Sequence, residues 1–166
     1  MPDEHADRHP VVLQQPQHGL GVAAGLHQRP GGGVAIGLGS GVAIFDYDND
    51  GDLDLYTTSG SYENEPNSRF YQDKFYLNDG KGGFTIDSTA IPQSFTSKSC
   101  VRAIDYDKDG DLDLFVAGRV EPWNYPKPVS SFIWRNDTKN GKPAFTDVTN
   151  QIAAGLKDVG LVCDAL

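Results

Sequence analysis

The stretch that decides the fold is Gly41-Val-Ala-Ile-Phe-Asp-Tyr-Asp-Asn-Asp-Gly-Asp-Leu-Asp-Leu-Tyr56, which returns as Cys100-Val-Arg-Ala-Ile-Asp-Tyr-Asp-Lys-Asp-Gly-Asp-Leu-Asp-Leu-Phe115. Each copy holds five aspartates in nine positions, with glycine at the sixth. Two carboxylates about 4 Å apart repel by about 1 kcal/mol in water and about 4 kcal/mol at an effective dielectric of 20, so a folded loop of this kind calls for a cation. The spacing Asp-x-Asp-x-Asp-Gly-x-x-Asp suits Ca2+, a hard ion that takes six to eight oxygens. In the first loop Asp46, Asp48 and Asp50 offer side-chain oxygens, Gly51 permits the turn, Asp52 offers its main-chain carbonyl and Asp54 closes the set. Asp105, Asp107, Asp109, Asp111 and Asp113 take the same roles around Gly110. Oxygen-only ligand sets also accept Mg2+ or Mn2+.

An EF-hand loop opens in the same way, but it needs an acidic residue at position 12 and a helix on each side. Position 12 is Thr57 in one copy and Val116 in the other. The flanks are short and rich in β-branched, aromatic and other apolar residues, so they predict strands rather than helices. Each loop is therefore expected to join two strands of one sheet, and the two loops are expected to bind their ions independently.

The repeat extends beyond the loops at an offset of about 59 residues. Tyr76-Leu-Asn-Asp79 answers Trp134-Arg-Asn-Asp137, and Gly83-Phe-Thr85 answers Ala144-Phe-Thr146. Both copies read strand, Asp loop, strand, long loop, strand, Asn-Asp turn, strand. This predicts an all-β fold of two four-stranded antiparallel β-propeller blades plus the first strand of a third. The expected division is an irregular or artefactual segment over 1–38, blade 1 over 39–98, blade 2 over 99–158 and the start of blade 3 over 159–166. A helical turn is expected within 150–156. The remaining blades are expected to come from a longer chain.

Connections in an up-and-down sheet alternate between its ends, so the long loops, 60–72 and 118–130, are expected opposite the Asp loops. They carry Tyr62, Arg69, Tyr71, Arg119, Trp123 and Tyr125, residue types that interaction surfaces favour, and packing on a neighbouring blade is the competing reading. Residues 1–38 hold all four histidines, at spacings that match no metal-ligand pattern, together with Gly31-Gly-Gly33. Cys100 and Cys163 are read as buried free thiols.

The formal charge is −9, and ten of the 23 acidic residues lie in the two loops. Two divalent cations would bring that charge to −5. The 14 Lys and Arg residues are scattered, which argues against a nucleic-acid partner. Apolar runs fall short of a membrane span, and the first residues carry no secretory signal pattern.

The two Asp loops, with Leu77-Asn-Asp-Gly80, Gly83-Phe-Thr85 and Asn136-Asp137, resemble the FG-GAP/VCBS repeats of calcium-binding β-propellers, a repeat also seen in integrin α-subunit heads. The stretch from Gly41 to Leu166, about three quarters of the chain, is similar to bacterial ASPIC/UnbV and cartilage acidic protein relatives. The resemblance implies a seven-bladed propeller in the intact protein, Ca2+ in both Asp loops and a place at the cell surface, in the periplasm or outside the cell. The leading expectation is a non-catalytic module that binds a protein or a glycan. The alternative is part of a propeller polysaccharide lyase or other carbohydrate-active enzyme. From residue 28 onward, however, there is no histidine from which to build a Ser/His/Asp or Cys/His set, and the prominent aspartates suit metal better.

Overall fold

The computed structural model describes residues 24–28 and 34–38 as backbone, and residues 41–60, 71–121 and 123–166 in full. Strands β1 (Ala24–Gln28) and β2 (Val34–Leu38) pair antiparallel, Ala24 opposite Leu38 and Gln28 opposite Val34. This departs from the expectation of irregular backbone through residue 38. Val34 and Ile36 are β-branched and two residues apart, a strand signal that the glycines and prolines around it obscure.

From residue 41 onward the chain builds two four-stranded antiparallel sheets, each with its strands in chain order. The first contains β3 (Val42–Phe45), β4 (Asp54–Thr57), β5 (Lys74–Asn78) and β6 (Phe84–Ile86). The second contains β7 (Ser97–Ile104), β8 (Asp113–Val120), β9 (Phe132–Asn136) and β10 (Phe145–Asp147). Phe45 pairs with Asp54 at the mouth of the first Asp loop, and Ile104 pairs with Asp113 at the mouth of the second. The antiparallel order gathers both Asp loops and both Asn-Asp turns at one end of the sheets. The β4–β5 and β8–β9 connections lie at the other end, as the alternation of an up-and-down sheet requires. This is the all-β, blade-like arrangement that the repeat predicts.

Apolar residues of the two sheets meet in one core. Ala43, Phe45, Tyr56 and Phe75 come from the first sheet, and Val101, Leu114, Val116, Trp134 and Phe145 from the second. Phe75 is the hub: its ring stacks on Phe45 at 6.0 Å and meets Phe145 edge-on at 5.7 Å. Tyr56 and Trp134 make a second edge contact between the sheets at 6.0 Å. Each such pair adds about 0.5–1.5 kcal/mol beyond the area it buries. Close approach of the sheets needs a glycine at position 41, because a Cβ there would lie 2.5 Å from the Cα of Cys100.

A buried polar network crosses the same interface toward the end opposite the Asp loops. Lys98 is wholly buried, and its Nζ donates to Asp73 Oδ1 at 3.0 Å and to the carbonyls of Tyr71, Ser94 and Thr96. Asp73 also accepts from the Tyr56 hydroxyl and from the Ser59 amide. Burial pushes the Asp73 carboxyl up, while the ammonium of Lys98 and the phenol of Tyr56 pull it back.

A short helix, Thr149–Ile152, and a 3-10 turn, Ala154–Leu156, follow β10. The next segment does not form the expected first strand of a third blade. Its backbone bonds go instead to separate points of the second sheet's surroundings, Gly160 N to Val129 O and Val162 N to Gly118 O, which is too scattered for a ladder. Ser99 donates to the carbonyl of Val162, and Arg102 pairs with Asp164 at 2.8 Å. Both thiols are free, but only Cys100 is buried. Cys163 is exposed, because no described element covers the outer side of 159–166.

Candidate metal centres

The chain between the paired strands turns back on its own aspartates. Asp46 accepts from the amides of Asp50 at 3.1 Å and Gly51 at 2.9 Å, and Asp50 accepts from Asp52 N at 2.9 Å. The second loop repeats the pattern, with Gly110 N on Asp105 at 3.3 Å and Asp111 N on Asp109 at 2.9 Å. Positive φ occurs at the same two places, Asn49 (60°) with Gly51 (94°) and Lys108 (64°) with Gly110 (99°). Nothing crowds a Cβ at either glycine, so it is the left-handed backbone that selects the residue.

These turns aim three carboxylates at one point. Asp46, Asp48 and Asp50 each place an oxygen within 4.8 Å of the others, and so do Asp105, Asp107 and Asp109. Asp48 Oδ1 and Asp105 Oδ1 are buried with no hydrogen-bond partner. A buried acceptor without a donor is costly, and one set among other carboxylates is satisfied best by a cation. Burial, reinforced by the charge of Asp50, pushes the Asp48 carboxyl up. The donor set is all oxygen and negatively charged, so the residues present fit a hard divalent ion.

The remaining aspartates stand apart from the triplets. Asp54 is buried at the base of the first loop, where it accepts from Asn78 N at 2.8 Å and Tyr47 N at 3.4 Å. Asp113 does the same for Asn136 N at 2.8 Å and Tyr106 N at 3.2 Å. Burial pushes Asp54 up to about 6, against the pull of its two amide donors and with added repulsion from Asp48 and Asp50. Asp54 and Asp113, expected to close the ligand sets, thus brace the loops against the third strand of each sheet. The Asp52 carboxylate lies beside Gly80, where a Cβ would meet it at 2.2 Å, and Asp111 accepts from Asn49.

Two functional residues emerge that sequence reasoning used only as repeat markers. Asn78 donates to Leu53 O at 3.0 Å and accepts from Gly80 N. Asn136 donates to Leu112 O at 3.3 Å and Tyr47 O at 2.8 Å, and accepts from Thr138 N. Each Asn ties an Asp loop to the neighbouring turn, and the recurrence of Asn-Asp in both repeats was the available signal. At the opposite end, Trp123 (71 %) and Tyr125 (77 %) are the most exposed aromatic rings described, and Arg119 is exposed beside them in sequence. Tyr71, grouped with them as a surface residue, is instead fully buried. Tyr62 and Arg69 lie outside the described residues.

Residues 46–116 match the FG-GAP-like repeat family. The matched stretch begins at the first aspartate of one triplet and runs past the whole of the other into β8. The matched stretch therefore contains both candidate centres and the loop anchors Asp54, Asn78 and Asp113. No curated protein and no solved structure matches the chain. Among the described residues, no helix is long and apolar enough to cross a membrane.

Proposed function

We propose that the chain is a calcium-binding, non-catalytic module of an extracellular or cell-surface β-propeller, with one Ca2+ in each Asp loop. The observation that carries the reading is the convergence of two carboxylate triplets, each with a buried, unpartnered oxygen, at the same register of two successive sheets. Asp46, Asp48 and Asp50 hold one ion, and Asp105, Asp107 and Asp109 hold the other. Backbone carbonyls and water complete the shells. The ions stiffen one end of the sheets. The exposed Trp123 and Tyr125, with Arg119, offer a protein or glycan partner a contact surface at the other.

Calorimetric titration of the full chain with CaCl2 after chelation should find two sites, with dissociation constants on the order of 10⁻⁴ to 10⁻³ M, the range of extracellular modules. Absence of heat at millimolar Ca2+ would refute the reading.

A further inference from the structure

The side chains of the first Asp loop divide by alternation. Asp46, Asp48 and Asp50 converge, and the two residues between them reach the second sheet. Tyr47 is buried with its ring edge-on to Phe75 at 5.1 Å. Its hydroxyl donates to Gly141 O at 3.0 Å, and its carbonyl accepts from Asn136 Nδ2 at 2.8 Å. Asn49 Nδ2 donates to Asp111 Oδ1 in the other Asp loop at 2.9 Å. Gly141 belongs to the turn between β9 and β10 and comes so near the triplet that a Cβ there would lie 3.6 Å from Asp48 Oδ2. In the second loop the equivalent of Tyr47, Tyr106, interacts with Arg135 of its own sheet instead.

We propose that the ion of the first loop clasps the two sheets together, whereas the ion of the second loop acts across the interface only through Asp111, the acceptor for Asn49. The inference rests on the loops being cation sites. Drawing three carboxylates onto an ion fixes the backbone of residues 46–50, and with it the directions of Tyr47 and Asn49. Tyr47, whose carbonyl takes the amide of Asn136 from the far side, helps hold the β9–β10 turn against the first sheet, and Asn49 ties the first loop to Asp111 of the second. Coupling of this kind is reciprocal: the factor by which the ion tightens docking is the factor by which docking tightens the ion. Tyr47 and Asn49 are therefore positioning residues for the first ion although neither side chain supplies a ligand, and the two sites are unequal.

The test uses the full chain carrying Asp107→Asn, which silences the second loop. In that background calcium should slow amide exchange at Asp137 and at Phe145, whose amides bond Ala144 O and, across the interface, Ala90 O. Adding Tyr47→Phe and Asn49→Gly, which keep the ring and the permissive backbone, should weaken calcium binding about threefold to tenfold, since each lost hydrogen bond carries a modest net free energy. The calcium-dependent slowing should also vanish. Calcium binding without slowed exchange in the Asp107→Asn chain overturns the clasp alone, and this arm stands even if the triple variant does not fold. Unchanged affinity in a folded triple variant overturns it too. Absence of calcium binding by the unsubstituted chain overturns the clasp and the cation reading together.

Discussion

Asp48, Asp54 and Asp113 are carboxyls held above their ordinary range by burial, and Asp54 reaches about 6. Stripped of metal, the folded chain then holds more protons than the unfolded chain between an ordinary carboxylate value near 3.8 and about 6. Stability from these groups is therefore fully present at the lower edge of that window and is lost as pH rises through it. Three other carboxyls are held below the ordinary range: Asp79 by the amides of Lys81 and Gly83, Asp87 by Thr89, and Asp137 by Arg135, Thr146 and Lys139, which together outweigh its burial. Their contribution is lost only at lower pH, beneath the ordinary value. In chelator, the urea midpoint should rise as pH falls from about 7 toward about 4 and decline below that. With saturating calcium the upper slope should reverse, because protons then compete with the ion. A chelated chain that loses stability steadily from neutral pH to pH 4 would contradict the burial assigned to these aspartates. The presence of crowded carboxylates was legible in the sequence. Their separation into converging triplets and loop braces was not, because it depends on whether the third strand of each sheet offers an amide.

Among the elements, the β4–β5 connection, the linker before β7 and β7 itself meet around Lys98. The wholly buried ammonium has one carboxylate, Asp73, and three carbonyls as partners. Removing one side of a buried pair leaves the other as an uncompensated charge, at about 3–5 kcal/mol. Lys98→Met should cost that much in equilibrium urea unfolding, and Lys98→Met with Asp73→Leu should recover a large part of it. A single variant within about 1 kcal/mol of the unsubstituted chain would mean that water reaches the pair. Nothing local marks Lys98 in Ser97-Lys-Ser99, since its partners come from other segments. The strands themselves were legible, because alternation of period two and the Asn-Asp turns are local signals. The pairing of β1 with β2 was missed where glycine and proline dominate composition.

At the scale of the molecule, the two sheets are joined by aromatic contacts, by the Lys98 network and by the approach of Gly41 to Cys100. Gly41→Ala would drive a methyl into backbone rather than into a flexible side chain. Overpacking of this kind costs about 1–3 kcal/mol, and the β3–β7 contact has nowhere to relax without opening the core. Thermal unfolding should move to lower temperature, whereas Gly51→Asn should be milder because asparagine tolerates positive φ and no atom obstructs it. Equal effects of the two changes would show that the sheets do not need so close an approach.

The sequence by itself determined the eight strands of the two sheets, the two Asp loops, their shared end of the sheets and the repeat, because each follows from spacings of a few residues and from the alternation of an antiparallel meander. Only the tertiary structure decided that Tyr71 and Lys98 are buried, that Cys163 is exposed, that Asp54 and Asp113 brace the loops, and that Tyr47 and Asn49 reach across to the second sheet. The bonds of Tyr47 to Gly141 and Asn136 span 94 and 89 residues. Contacts of that range depend on how one sheet is set against the next, which no local pattern of residues encodes.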